Sequence, residues 1–162
     1  MASLDFLASP ARRAQAGMRL WHATIAGGFL VAWLSGDSDD FYMVHQVAGY
    51  TVLIAVVLRL LVGLLARRAP WRLPRPDPAA ARRWLAEKKG RNPLFAWLAV
   101  SLLLSVAASA GLGMAAHWLP AVEDPHALAS DVALWVVVAH GLAIPFLYGA
   151  HRRLARRLAG TP

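Results

Sequence analysis

Four apolar stretches alternate with short polar ones along the chain, at about Met18 to Leu34, Phe41 to Ala66, Pro93 to Leu119 and Val132 to His151. Each approaches the roughly 17 to 25 residues that a helix needs to cross a bilayer. Between the second and third, Pro70, Pro74, Pro76 and Pro78 prevent helix. The run Ala79 to Lys89 (AAARRWLAEKK) then reads as a short, basic, amphipathic helix along the membrane interface. The remaining connections are too short for a separate soluble domain. The pattern predicts an all-α membrane protein, residues 1–162 forming one membrane domain of four transmembrane helices.

Composition supports this and charge orients it. The 162 residues are 58% hydrophobic, with a mean hydropathy of +0.46, too apolar for a soluble domain of this size. The formal charge of +8 resolves once it is laid out by segment. Lys and Arg fall in the N-terminal segment, at Arg59, between Arg67 and Arg91, and from Arg152 to Arg157. Asp37, Asp39, Asp40, Glu123, Asp124 and Asp131 occupy the other two connections, which hold no Lys or Arg. The positive-inside rule therefore puts both termini and the middle loop in the cytoplasm. The basic character is topology, so nucleic acid is not an expected partner and membrane lipid is. Met1 to Ala16 lacks an apolar core with a small-residue cleavage site and is expected to stay uncleaved.

Several finer features follow. With no cysteine, disulfides, iron–sulfur clusters and covalently attached haem are excluded. Trp21, Trp71, Trp84 and Trp97 at one boundary, and Trp33, Trp118 and Trp135 at the other, read as interfacial anchors. Ser101, Ser105, Ser109 and Gly113 form a small-residue stripe suited to close helix packing. Pro145 leaves the carbonyl of Gly141 without its helical donor, a place for a kink.

The histidines carry the chemistry. An ionisable side chain within a membrane is costly and marks function by default. His140 and His151 are eleven residues apart, which returns the second to within roughly 20° of the first and about 16 Å along the axis. One helix can thus present two imidazoles from one side. His45 and His140 lie nearer the outer ends of their spans, His22 and His151 deeper. This sorts them into an outer pair, His45 with His140, and an inner pair, His22 with His151. Each pair joins the fourth span to a different earlier one, as bis-histidine haem in a four-helix bundle requires. The expectation is two b-type haems with these four histidines as axial ligands to iron.

Neighbouring residues fit that expectation. Gly27, Gly28, Gly49, Gly141 and Gly149 leave room for a porphyrin. Arg59 follows His45 by 14 residues, within about 40° of its face and about 21 Å toward the cytoplasm. It and Arg19, one turn before His22, are candidates to neutralise propionates of the inner haem, snorkelling to lipid headgroups being the alternative. A zinc or copper site needs ligands converging on one point, which the climb between His140 and His151 opposes. His117 and His126 flank the outer connection and read as interfacial polar residues, with substrate or quinone contact as the lesser reading.

The segments MRLWHA around His22, VHQVAGY around His45, LRLLVGLLARR from Leu58, GRNPLFAW from Gly90 and HGLAIPFLYGAHRRLARRLAG from His140 together resemble the bacterial cytochrome b561 and nickel–iron hydrogenase b-type cytochrome family. The resemblance covers most of the chain from Met18 to Gly160. It implies a multi-pass diheme cytochrome of the bacterial inner membrane, with ligands at His22, His45, His140 and His151. The chain departs from the family at Arg91, where many members carry histidine in a GHNP motif.

The implied role is electron transfer between the quinone pool and a periplasmic redox partner, with two haem b and a quinone as cofactors. An outer face of carboxylates suits a basic cytochrome c or another cationic oxidoreductase subunit. Superoxide oxidation ranks second, since that face repels the anion. An anchor subunit of a hydrogenase is a third reading, and a haem-free scaffold or metal transporter a fourth. No nucleophile–base arrangement suggests a hydrolase; enzyme and electron-transfer subunit both stay open.

Overall fold

The computed structural model describes residues 9–67, 70–87 and 92–158, with side chains described up to residue 143. Five helices form: α1 (Pro10–Ser35), α2 (Tyr42–Leu65), α3 (Pro78–Glu87), α4 (Leu94–Ala116) and α5 (Glu123–Leu158). No strand occurs among the described residues. Three helical stretches are long and apolar enough to cross a membrane: Asp39–Leu65, Leu94–Ala116 and Pro120–Ala143. α1 is long enough at 26 residues, but Arg12, Arg13, Arg19 and His22 dilute its hydropathy.

Local chemistry sets the helix starts. Pro10 opens α1 behind Ser9, whose hydroxyl accepts the Arg12 N–H at 3.3 Å. Asp77 accepts the N–H groups of Ala79 and Ala80 at 2.9 and 3.2 Å and so caps α3. Asn92 accepts from Leu94 at 3.0 Å at the start of α4. α5 begins at Glu123, not at Val132 where strong hydropathy sets in, because Glu123 and Asp124 complement the positive helix terminus and Pro125 is tolerated in a first turn. The same helix continues through Pro145. The interfacial helix expected at 79–89 appears as α3, which buries none of its residues; Lys88 and Lys89 lie outside the described residues.

The links after α1 and α4 are short, each closing with a single 3₁₀ turn at Asp39–Phe41 and Pro120–Val122. The chain therefore makes two hairpins, α1–α2 and α4–α5, with α2 packed on α4 between them. Both hairpin links lie at the end that carries the carboxylates, termed here the acidic end. The link holding α3 lies at the opposite, basic end.

The core is small: Phe29, Val52, Val56, Val106 and Ala133, with Ile25, Leu60, Leu102 and Leu103 against it. Val56 is only 1% exposed, whereas Leu65 at 80% and Trp118 at 74% face outward among many large apolar side chains. An apolar exterior around a thin core suits lipid, where helix association depends on close packing and hydrogen bonds instead of on the hydrophobic effect. α1 meets α2 closely at Gly28, where an added Cβ would come within 2.8 Å of Val52 Cγ2. Trp21 Nε1 donates to the Ala55 carbonyl at 2.8 Å across the same interface. Ser109 is 5% exposed, its hydroxyl 2.8 Å from that of Ser130 between α4 and α5.

Gly28→Leu should force α1 from α2 and lower stability in detergent by roughly 1–3 kcal/mol. Gly27→Leu, where an added Cβ meets nothing within 4 Å, should leave the thermal midpoint unchanged.

Candidate functional site

Among the described residues α5 scarcely approaches α1 or α2 along the backbone, and histidine rings bridge the gaps. At the acidic end His45 of α2 faces His126 of α5, with ring centroids 6.0 Å apart. Deeper, His22 of α1 faces His140 of α5 at 6.3 Å, with Phe95 of α4 edge-on to His140 at 6.3 Å. The sequence paired His45 with His140; the structure instead brings His126 to His45 and His140 to His22. His151 lies in α5, but its side chain is outside the described residues.

The sequence assigns no ligand role to His126, which the structure sets against His45. Its sequence position beside the connection suits an interfacial polar group, with substrate or quinone contact as the lesser reading. The early start of α5 carries it into the bundle, where it is half-buried. A signal was present in the spacing: His126 and His140 are 14 residues apart, within about 40° of one face and about 21 Å along the helix. Arg59 stands in that same relation to His45 on α2, which runs in the same direction as α5.

The acidic-end pair is locked in orientation. His45 Nδ1 lies 2.8 Å from the Ala32 carbonyl, and His126 Nδ1 lies 3.0 Å from the Ser109 carbonyl. A carbonyl only accepts, so both Nδ1 atoms carry the proton and donate it. In each neutral ring the lone pair then resides on Nε2. Ligating histidines are commonly oriented in this way. Glycines make the fit possible: an added Cβ at Gly113 would lie 2.7 Å from His126 Cε1, and one at Gly36 would lie 3.4 Å from His45 Nδ1.

A cavity of about 510 Å³ opens beside this pair, lined by Gly49, Tyr50, Ser130, Asp131 and both histidines among others. Gly49, named from sequence, faces open space. At the rim Gln46 Nε2 donates to Tyr42 Oη at 2.7 Å and lies 3.3 Å from His117 Nδ1. His117 itself is exposed and edge-on to Trp118, as an interfacial residue would be.

The deeper pair is arranged differently. His140 Nδ1 is buried with no partner among the described residues. At the basic end Arg59 donates from Nη1 to the Trp71 carbonyl at 2.8 Å, and its guanidinium carbon lies 5.9 Å from the centre of the Trp21 ring. Trp21 and Trp71 are in turn 5.9 Å apart, so these two tryptophans tie the middle loop to the bundle. Arg19 is exposed on α1.

The donor set suits iron held between two imidazoles. Metal–nitrogen bonds near 2 Å on either side put two ring centres roughly 6 Å apart, as both pairs are. Among the described residues no three His, Cys, Asp or Glu side chains converge on one point. A helical membrane bundle with paired histidines across its interior defines the class of integral-membrane b-type cytochromes. The chain belongs to the prokaryotic cytochrome b561 family, whose model matches residues 13–158. No curated protein and no solved structure matches it. The family supports a membrane b-type cytochrome that binds haem and transfers electrons.

Gly113→Leu should displace the His126 imidazole from Ser109 and weaken haem binding at that pair by about 10- to 100-fold. Haem content by pyridine haemochrome should fall, whereas Gly111→Leu, at a position facing open space, should leave it unchanged.

Proposed function

We propose that the chain is a diheme, four-span cytochrome b of the bacterial inner membrane, carrying electrons between the quinone pool and a periplasmic partner. One haem lies between His45 and His126, the other between His22 and His140. The observation that carries this reading is the repeat of two facing histidine pairs, with the two members on α5 about 21 Å apart along the helix. Bound haem supplies reversible one-electron exchange at its iron, without group-transfer chemistry.

The chain's residues do the rest. Ala32 and Ser109 hold the Nδ1 protons of His45 and His126 and so leave both Nε2 lone pairs free to ligate. Phe95 packs against His140 and excludes water beside it. Arg59, at the depth of His22 and His140, offers a cation to a propionate there, and Arg19 offers another one turn from His22. The acidic end faces the periplasm by the positive-inside rule. Asp37, Asp39, Asp40, Glu123, Asp124 and Asp131 attract a positively charged partner to the outer pair.

Haem content of the detergent-purified full chain tests the ligand set. Two haems per chain are expected, with about one lost in His126→Ala and one in His140→Ala, and none lost in His151→Ala. Loss at His151 with retention at His126 would overturn these pairs and restore the set inferred from sequence.

Electron exchange with a basic cytochrome c should slow at least about tenfold between 0.01 and 1 M ionic strength, as the screening length shrinks from about 30 to 3 Å. Stopped-flow reduction reads this directly. A rate independent of salt would remove the carboxylates as the docking surface.

A further inference from the structure

We infer that three serine hydroxyls, those of Ser35, Ser109 and Ser130, are positioning groups for the acidic-end pair, fixing the planes in which the His45 and His126 imidazoles stand. This rests on the reading of those two rings as ligands to one haem and adds to it the residues that set their orientation.

Burial singles the serines out. Ser35 at 6% exposed and Ser109 at 5% are the buried polar residues among those described. Both serve a carbonyl that receives a histidine proton. Ser109 itself supplies the carbonyl that accepts from His126. Ser35 donates to the carbonyls of Val31 at 2.7 Å and Ala32 at 3.2 Å, and the Ala32 oxygen is the one that accepts from His45. α1 ends at Ser35, so Ala32 belongs to its last turn, whose carbonyls lack helical donors. Hydroxyl and imidazole satisfy that oxygen together, and the His45 ring must hold its plane to reach it.

At His126 the bonds close a circuit. A hydroxyl inside a helix ordinarily returns its proton to a carbonyl three or four residues back, as those of Thr24, Thr51 and Ser105 do. Ser130 does so too, donating to the His126 carbonyl at 2.9 Å. With its one proton used, Ser130 can only accept from Ser109, whose hydroxyl lies 2.8 Å away across the α4–α5 interface. Ser109 in turn accepts from His126 Nδ1 at its own carbonyl, 3.0 Å away. Ring and backbone of His126 are thus tied to the same two serines, and the ring cannot turn without parting from Ser109. Because Ser109 is shut off from solvent, water does not replace a bond broken there. The acidic-end rings stand at 68° to one another, against 36° for His22 and His140. The angle between axial imidazole planes shapes the magnetic anisotropy of a low-spin ferric haem, which makes the positioning measurable.

The test is electron paramagnetic resonance of the oxidised, haem-loaded full chain in lipid nanodiscs. Two low-spin ferric signals are expected, the one lost in His126→Ala belonging to the acidic-end pair. Ser130→Ala should shift the low-field line of that signal by more than its width, leave the other signal in place and keep two haems per chain. Ser130→Thr, which retains the hydroxyl, should restore the wild-type line. Ser109→Ala combined with Ser130→Ala should shift it no further than Ser130→Ala alone, because members of one circuit are not additive. Ser35→Ala reaches the same signal through the other ring, and so tests the inference even where a substitution at the α4–α5 contact prevents folding. Ser105→Ala, at a hydroxyl turned back on its own helix, should change neither signal. An unshifted line in both Ser130→Ala and Ser35→Ala, with two haems bound, would overturn the inference. Retention of both haems in His126→Ala would instead overturn the ligand reading beneath it.

Discussion

An imidazole inside an apolar bundle has two ring nitrogens, and leaving either without a partner is costly. Much of this molecule follows from that constraint. His45 on α2 satisfies Nδ1 with a carbonyl of α1, and His126 on α5 satisfies Nδ1 with a carbonyl of α4. Each hairpin thereby completes one histidine internally, and the two rings meet between the hairpins with centroids 6.0 Å apart. The functional gap lies between hairpins because the interface within each is already closed by these bonds.

Close approach within the hairpins depends on small residues and polar ties. Gly28 admits Val52, Gly113 admits His126, and hydroxyls meet at Ser109 and Ser130. The four-residue stripe on α4 is only partly at that interface. A step of four residues advances a helix by about 400°, so the stripe drifts about 40° per step and turns about 120° from Ser101 to Gly113. Ser109 is accordingly buried and Ser101 exposed. The tryptophans divide in the same way: Trp118 and Trp135 face outward as anchors do, while Trp21 bonds to Ala55 and clusters with Trp71.

The helices themselves were legible because a segment that must satisfy its backbone within lipid leaves a long apolar run in the sequence. α2 and α4 matched that run within a few residues. α5 did not, since Glu123, Asp124 and Pro125 are favourable in a first helical turn yet carry no hydropathy. That single displacement hid His126, whose polar neighbours made it look like part of a connection. His45, His22 and His140 were legible as intramembrane histidines; their partners were not, because depth counted from an uncertain end carries the error of that end.

The sequence by itself determined the helical membrane class, the sidedness of charge, the absence of covalent haem attachment and the family. Each depends on composition or local pattern, which survives without knowledge of contacts. Tertiary structure decided which histidines face one another, which of them donate to a carbonyl, and where Arg59 rests. Those are matters of a few ångströms between helices distant in the chain, fixed by how closely Gly28 and Gly113 let their neighbours come.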